Sequence, residues 1–296
     1  MKHRWNTCVN NLNFAFHQLN RLTKKLIRKN SGGRGRPTKF DPAEYVKIII
    51  LKELDKKSLR SAEVNLTGFV VGKRVDHSVI GYWENKPEIV NCLKIILARA
   101  RIILDKVDYS SFTFVDATKF TTWNKKEIQI HIANRISKRT VYPIGASFLK
   151  KNVRDPVNEC LPSGNKILYA DAGYDDNKTI GVIFKKGYVP VVCPNKNRWR
   201  GHYRKRARKI YQQPIHRRGY RQRGRGESCF GSWTNEFGDR LKSVNEQSTQ
   251  TRILARIVVY QIKLLLRFED EIISVDVLII RHAREREQFI KRTYLG

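Results

Sequence analysis

Apolar residues recur at helical spacing over the first hundred positions and at strand spacing beyond them. Leu12, Phe16, Leu19, Leu22 and Leu26 fall close to one helical face. Asp41, Pro42 and Glu44 have the order of a cap, a first-turn proline and a capping-box acid, which predicts a helix from there to about Leu54. Ser58 and Ser78 are placed to cap two shorter helices. Pro87 opens a long one, with Ile89, Cys92, Leu93, Ile96 and Leu97 on one face. From about Tyr109 the pattern becomes β-prone. Five runs stand out: Phe112 to Thr118, Ile128 to Ile132, Val141 to Leu149, Ile167 to Asp171 and Tyr188 to Val192. A short helix is expected from Asp175 to Lys186. Glu227 is expected to open a helix with Phe230, Trp233, Phe237 and Leu241 at helical spacing, and residues 251–268 to form another. Three close strands followed by strand, helix, strand predict a mixed α/β fold.

Charge changes this picture most. The 296 residues carry 59 Lys and Arg against 27 Asp and Glu, a formal charge of +32. An excess of that size points to a polyanion, most simply nucleic acid bound partly through counterion release. Residues 1–40 hold ten cations and no acid, and residues 195–226 hold thirteen and no acid. Trp199, Tyr203, Tyr211 and Tyr220 are interleaved in the second stretch, which suits phosphate contact and base stacking, or else a solvated loop. Gly35-Arg36-Pro37 matches the core of a minor-groove hook centred on Arg36, and reads equally as a basic linker. The helices of 41–108 suit a helix-turn-helix-like DNA module, or a subdomain that only packs on its neighbour.

Other classes fall away. The apolar runs are too short, and too broken by Lys and Arg, for a membrane partner. Cysteines 8, 92, 160, 193 and 229 are scattered without zinc or redox spacing. A reducing, cytoplasmic setting is expected.

In so basic a chain, three carboxylates at element ends invite attention. Asp116 lies in the most β-like run, Asp171 ends a strand, and Glu227 follows the acid-free stretch. Taken singly, each reads as a cap or turn residue. Together they suit phosphodiester cleavage, in which two hard cations align an in-line displacement on oxygen ligands.

The blocks FVDATKF, LYADAGYDD and YRQRGRGESCFGSWTNEFGDRL resemble the catalytic blocks of prokaryotic insertion-sequence DDE transposases, in the group related to the fourth and fifth insertion-sequence families. Thr118 follows Asp116 by two residues, Asp171 leads into Gly173 and Tyr174, and Tyr220, Arg223 and Glu227 keep the register of the third block. The Lys that the pattern places seven residues after the Glu falls on Thr234, with Lys242 or Arg240 as substitutes that no spacing favours.

The resemblance implies an RNase H-like mixed sheet flanked by helices, with an N-terminal helical DNA-binding region. The resemblance covers roughly Phe112 to Leu241, and the charge and element pattern along the chain gives boundaries at 1–40 (basic arm), 41–108 (helical region), 109–268 (catalytic domain) and 269–296 (tail). The 55 residues between Asp171 and Glu227 leave no room for a large insertion. It also implies a catalytic, metal-binding triad of Asp116, Asp171 and Glu227 with two Mg²⁺ (or Mn²⁺) ions. Arg223, Tyr220, Arg221, Arg225 and Arg36 would be DNA contacts. The partners would be double-stranded transposon ends and target DNA, held by a homodimer. Asp155, Asp175 and Asp176 read as helix caps. The alternatives are an inactive or domesticated DNA-binding protein and an RNase H-like nuclease without strand transfer.

Overall fold

The computed structural model describes residues 39–108, 110–149, 152–197, 200–238, 240–243 and 245–268. The helix expected over 11–26, the hook at Arg36, Trp199 and the tail 269–296 lie outside the described residues.

Helix α1 (Pro42–Leu54) starts where the sequence predicts, with the Asp41 carboxylate accepting from Ala43 N at 2.9 Å. The capping box does not close, because Glu44 reaches along the helix to Lys47 at 2.7 Å. Ser58 caps α2 (Leu59–Asn65) as expected, and α3 (Thr67–Val71) follows at once. Helix α4 (His77–Glu84) is capped by Asp76, not Ser78. The carboxylate is the stronger acceptor and takes both the backbone N–H and the hydroxyl of Ser78. Helix α5 (Pro87–Val107) buries the predicted face.

All five predicted strands are present: β1 (Ser110–Thr122), β2 (Glu127–Ser137), β3 (Val141–Ser147), β4 (Ile167–Ala170) and β5 (Val189–Val192). They form a mixed sheet in the order β3-β2-β1-β4-β5, antiparallel across the first three and parallel across the last three. A two-residue strand, β6 (Arg240–Leu241), pairs parallel to Thr121 and Thr122 at the far end of β1. Helix α6 (Arg154–Cys160) precedes β4, and α7 (Asn177–Lys185) crosses from β4 to β5.

The period of two along each strand divides the core into two layers. Phe114, Tyr169, Val191, Ile130 and Ile132 face one layer with α1, α5 and α11 (Glu246–Arg267). Val115, Leu168, Ala170 and Val192 face the other, with α6 and α7. Asn245 caps α11 through Ser248 N, so this helix begins five residues before the predicted Thr251.

Three expectations are corrected. The acid-free stretch is largely helical, as α8 (His202–Gln212) and α9 (Pro214–Tyr220). Its start is capped from another helix: Asn177 Oδ1 accepts from Tyr203 N and Arg204 N, which no local pattern reveals. Glu227 does not open its helix but sits on the second turn of α10 (Arg223–Phe237). Among the aspartates, Asp176 caps α7 through Thr179 N, but Asp155 lies inside the first turn of α6, bonded to Arg154 and Asn152. Asp175 is a buried ion partner of Arg204 at 3.0 Å, and its other oxygen accepts from Asn195 N.

Candidate active site

The sheet register brings the first two carboxylates together. Val115 pairs with Ala170 across the parallel β1–β4 ladder, so Asp116 and Asp171 follow side by side at the same level. Both project from the face that carries Phe114 and Tyr169. Asp116 Oδ1 accepts from Ala117 N at 2.8 Å. Asp171 caps a single 3₁₀ turn (Ala172–Tyr174) by accepting from Ala172 N at 2.7 Å. Tyr174, the last residue of that turn, passes to the opposite layer and meets the buried His131 ring nitrogen Nδ1 at 3.0 Å. That bond pins the turn, and with it the position of Asp171.

Helix α10 supplies the third carboxylate because it lies unusually low on the sheet. A Cβ on Gly226 would fall 2.2 Å from Phe114 Cε1, and on the preceding helix α9 a Cβ on Gly219 would fall 2.1 Å from the Tyr169 hydroxyl. Only glycine permits these approaches. Glu227, next to Gly226, is thereby held over the Asp116–Asp171 pair.

Arg223 joins all three. Its Nη1 lies 3.0 Å from Asp171 Oδ1, and its Nη2 lies 2.7 Å from Glu227 Oε1 and 3.7 Å from Asp116 Oδ2. Tyr220 adds its hydroxyl 3.2 Å from Nη1. Burial raises the Asp116 carboxyl above its ordinary pKa. Ala117 N–H and Arg223 pull it down, while Asp171 and Glu227 push it further up. Burial pushes the Tyr220 hydroxyl up to about 12. Burial works against the Arg223 cation, but Tyr220, Asp171 and Asp116 hold its pKa above the ordinary value. The arrangement is a half-open pocket of hard oxygen donors focused on one positive charge.

The family described as "Transposase DDE domain" matches residues 109–262, just over half of the chain and the whole of the sheet. The chain belongs to the DDE transposase family. An uncharacterised protein of Aquifex aeolicus (strain VF5) is 28% identical over 264 residues, covering 79% of this chain and 80% of that protein. The transposase is accordingly a metal-dependent DNA nuclease and strand transferase with an RNase H-like fold. Members of the family use divalent ions, generally Mg²⁺, and DNA is the substrate. Among the described residues, no helix is long and apolar enough to cross a membrane.

The donor set of the transposase fits such an ion. The three carboxylates supply only oxygen, the ligand that Mg²⁺ prefers, and they already converge on a cation, the Arg223 guanidinium. With Arg223 between them, they do not close to within 4.8 Å of one another. Among the described residues the one cluster that does is Glu63, Asp76 and His77. There Glu63 is already bonded to Arg74 at 2.7 Å and to His77 at 2.9 Å.

The other predicted DNA contacts sit around the rim. Arg221 is exposed at the end of α9, and Arg225 is half-buried, with Nη2 3.3 Å from the Lys138 carbonyl. Thr234 is exposed, and its hydroxyl turns back to the Phe230 carbonyl at 2.6 Å, which leaves no long cation at that point. Sequence reasoning missed Gly226, Gly219 and His131 as supports of the site. The glycines stood within the third block, but only the helix-to-sheet distance gives them a role.

Proposed function

We propose that Asp116, Asp171 and Glu227 are the catalytic carboxylates of this transposase and together hold two Mg²⁺ ions, with Mn²⁺ able to replace them. The observation that carries this reading is the single guanidinium shared by all three carboxylates. Carboxylates 55 to 111 positions apart in sequence meet there on one cation. When bound, the ions would lower the charge barrier to attack on a phosphodiester and stabilise the leaving oxygen.

The residues of the chain do the rest. Asp116 and Asp171, fixed by neighbouring strands and by the Ala117 and Ala172 N–H groups, set the line of the reaction. Arg223 neutralises the phosphate that enters between them, and Tyr220 positions its guanidinium. Water attacks phosphorus, the bond to the 3′ oxygen breaks, and a 3′-OH and a 5′-phosphate result. That 3′-OH then attacks a target phosphodiester, forming one P–O bond as another breaks. Arg221, Arg225 and Arg36 contact backbone phosphates.

The same proposal includes the organisation around the site. A basic arm (1–40) and a helical DNA-binding region (41–108) precede the catalytic domain (109–268) and the tail (269–296). Two copies act together on paired DNA ends, since two ends must be joined to one target, and they act in the cytoplasm on nucleoid DNA. The free cysteines 92, 160, 193 and 229 suit that reducing setting.

Mn²⁺ titration of the protein–DNA complex tests the ligand set. Two ions per active chain in the wild type, with affinity lost in Asp171→Asn and Glu227→Gln, is the expected result. Unchanged Mn²⁺ binding in both variants would remove these residues from the metal site.

A further inference from the structure

A second positively charged feature lies at the far end of α10 from the carboxylates. It is a cleft of about 560 Å³ between the α1–α2 turn, the end of α10, β6 and the start of α11. Eight of the residues that line it are Lys or Arg, and only Glu53 is acidic.

The floor of the cleft is a built ion network. Lys52 lies 2.6 Å from Glu53 and 3.0 Å from Glu84. Arg252 lies 2.9 Å from Glu84, and Arg256 lies 2.9 Å from Glu53. Three cations therefore share two carboxylates, all of them largely buried. One positive charge is left over in a place where charge is costly without a counter-ion. The same two arginines fix the wall: Arg252 donates to the Lys242 carbonyl at 2.7 Å, and Arg256 to the Gly238 carbonyl at 3.1 Å.

The rim adds exposed cations on both sides, Lys56 from the α1–α2 turn and Arg60 from the first turn of α2, and Arg240 from β6 and Lys242 just after it. Arg240 lies 5.2 Å over the exposed ring of Trp123, which holds it extended at the edge. Lys56 has φ +54°, a conformation unusual for a residue other than glycine, and it belongs to this turn.

We propose that this cleft is a second DNA-backbone site, holding phosphates of the same duplex whose cut end lies at the carboxylates. The placement of that cut end rests on the catalytic reading above. Charge complementarity selects the occupant: a fixed, buried positive charge walled by long flexible cations matches a polyphosphate strand. The spacing matches as well. Phe237, which lines the cleft, lies ten residues beyond Glu227 on α10, about 15 Å at 1.5 Å per residue. That is about four to five base-pair steps of 3.4 Å. The cleft thus holds the duplex a few pairs inside the reacting bond, and it supplies cationic contact that Thr234 does not.

The test is DNA binding by the full chain in EDTA, measured by fluorescence anisotropy against salt concentration. The variants are Lys56→Ala with Arg60→Ala, and Arg240→Ala with Lys242→Ala. All four side chains are exposed, and unchanged melting midpoints confirm folding. Each pair is expected to weaken binding at least tenfold and to reduce the slope of log affinity against log salt by about 1.8, at about 0.9 per phosphate contact. Lys242→Glu alone, as a second variant, is expected to weaken binding further than Lys242→Ala. Hydroxyl-radical protection about four to five steps from the cut should disappear in the β6 pair. Unchanged slopes with affinities within twofold, or unchanged protection, would overturn the proposal. Binding in EDTA does not depend on the metal ligands. Loss of slope together with full cleavage by Asp116→Asn would leave the cleft standing and remove the triad. Unchanged slopes with no cleavage by Asp116→Asn would do the reverse.

Discussion

Arg223 Nη1 lies 3.0 Å from Asp171 Oδ1, joining residues 52 positions apart. The same guanidinium reaches Glu227 one helical turn on, so a planar fork serves several carboxylates at once. A lysine carries the charge but not the fork. Arg223→Lys is therefore expected to fold normally and to cleave DNA about 10²–10³-fold more slowly, the scale of losing one preorganised donor. Single-turnover cleavage with a matched melting curve checks this. Wild-type rates would show that the fork is not needed.

Gly226 sets the height of α10 over the sheet. In Gly226→Ala the new methyl group would meet the Phe114 ring at 2.2 Å, so the helix must rise and carry Glu227 with it. A loss of about 1–3 kcal/mol of stability is expected, with cleavage falling more than the melting temperature suggests. Adding Phe114→Leu should restore part of both. Rescue of stability without rescue of cleavage would separate the packing role from the positioning role.

The network under the basic cleft gives a pH dependence of defined sign. Burial opposes the charged form of Glu53, but Lys52 and Arg256 hold its carboxyl below the usual 4.5. A depressed acid stabilises the fold above its unfolded value and loses that contribution as pH falls through the folded value. Glu53→Gln is expected to cost about 3–5 kcal/mol at neutral pH, because it strands two buried cations. The gap to wild type should shrink below pH 4.5. Urea unfolding at pH 7 and in mild acid checks the sign, and a gap that widens in acid contradicts it.

Tyr174 and His131 meet in the buried layer beneath the Asp171 turn. Burial lowers the His131 pKa and so favours its neutral form. Tyr174→Phe leaves His131 Nδ1 without this partner and is expected to cost about 1–3 kcal/mol. Cleavage should also slow, because the turn that presents Asp171 loses its anchor. Unchanged cleavage at a lowered melting temperature would limit the bond to a structural role.

The strands were legible because period-two patterning fixes which face each residue takes: Phe114 and Asp116 on one, Val115 on the other. The three carboxylates stood out through their blocks, but their meeting on Arg223 did not, since the β1–β4 register and the height of α10 are tertiary facts. Helices α8 and α9 hid among thirteen cations. Their apolar anchors are few, and the cap of α8 comes from Asn177, two elements earlier. Asp175 reads as a helix cap in the sequence because its ion partner, Arg204, lies 29 positions away. Strand β6 is two residues long and leaves no periodic signal.

The most direct test of the account is Mg²⁺-dependent cleavage by Asp116→Asn, measured beside DNA binding in the same preparation. The side chain keeps its size and can still bond to Ala117 N, while the charge that would hold a cation is gone. Binding within a few-fold of wild type and cleavage reduced to background are expected. Cleavage at the wild-type rate would contradict the account.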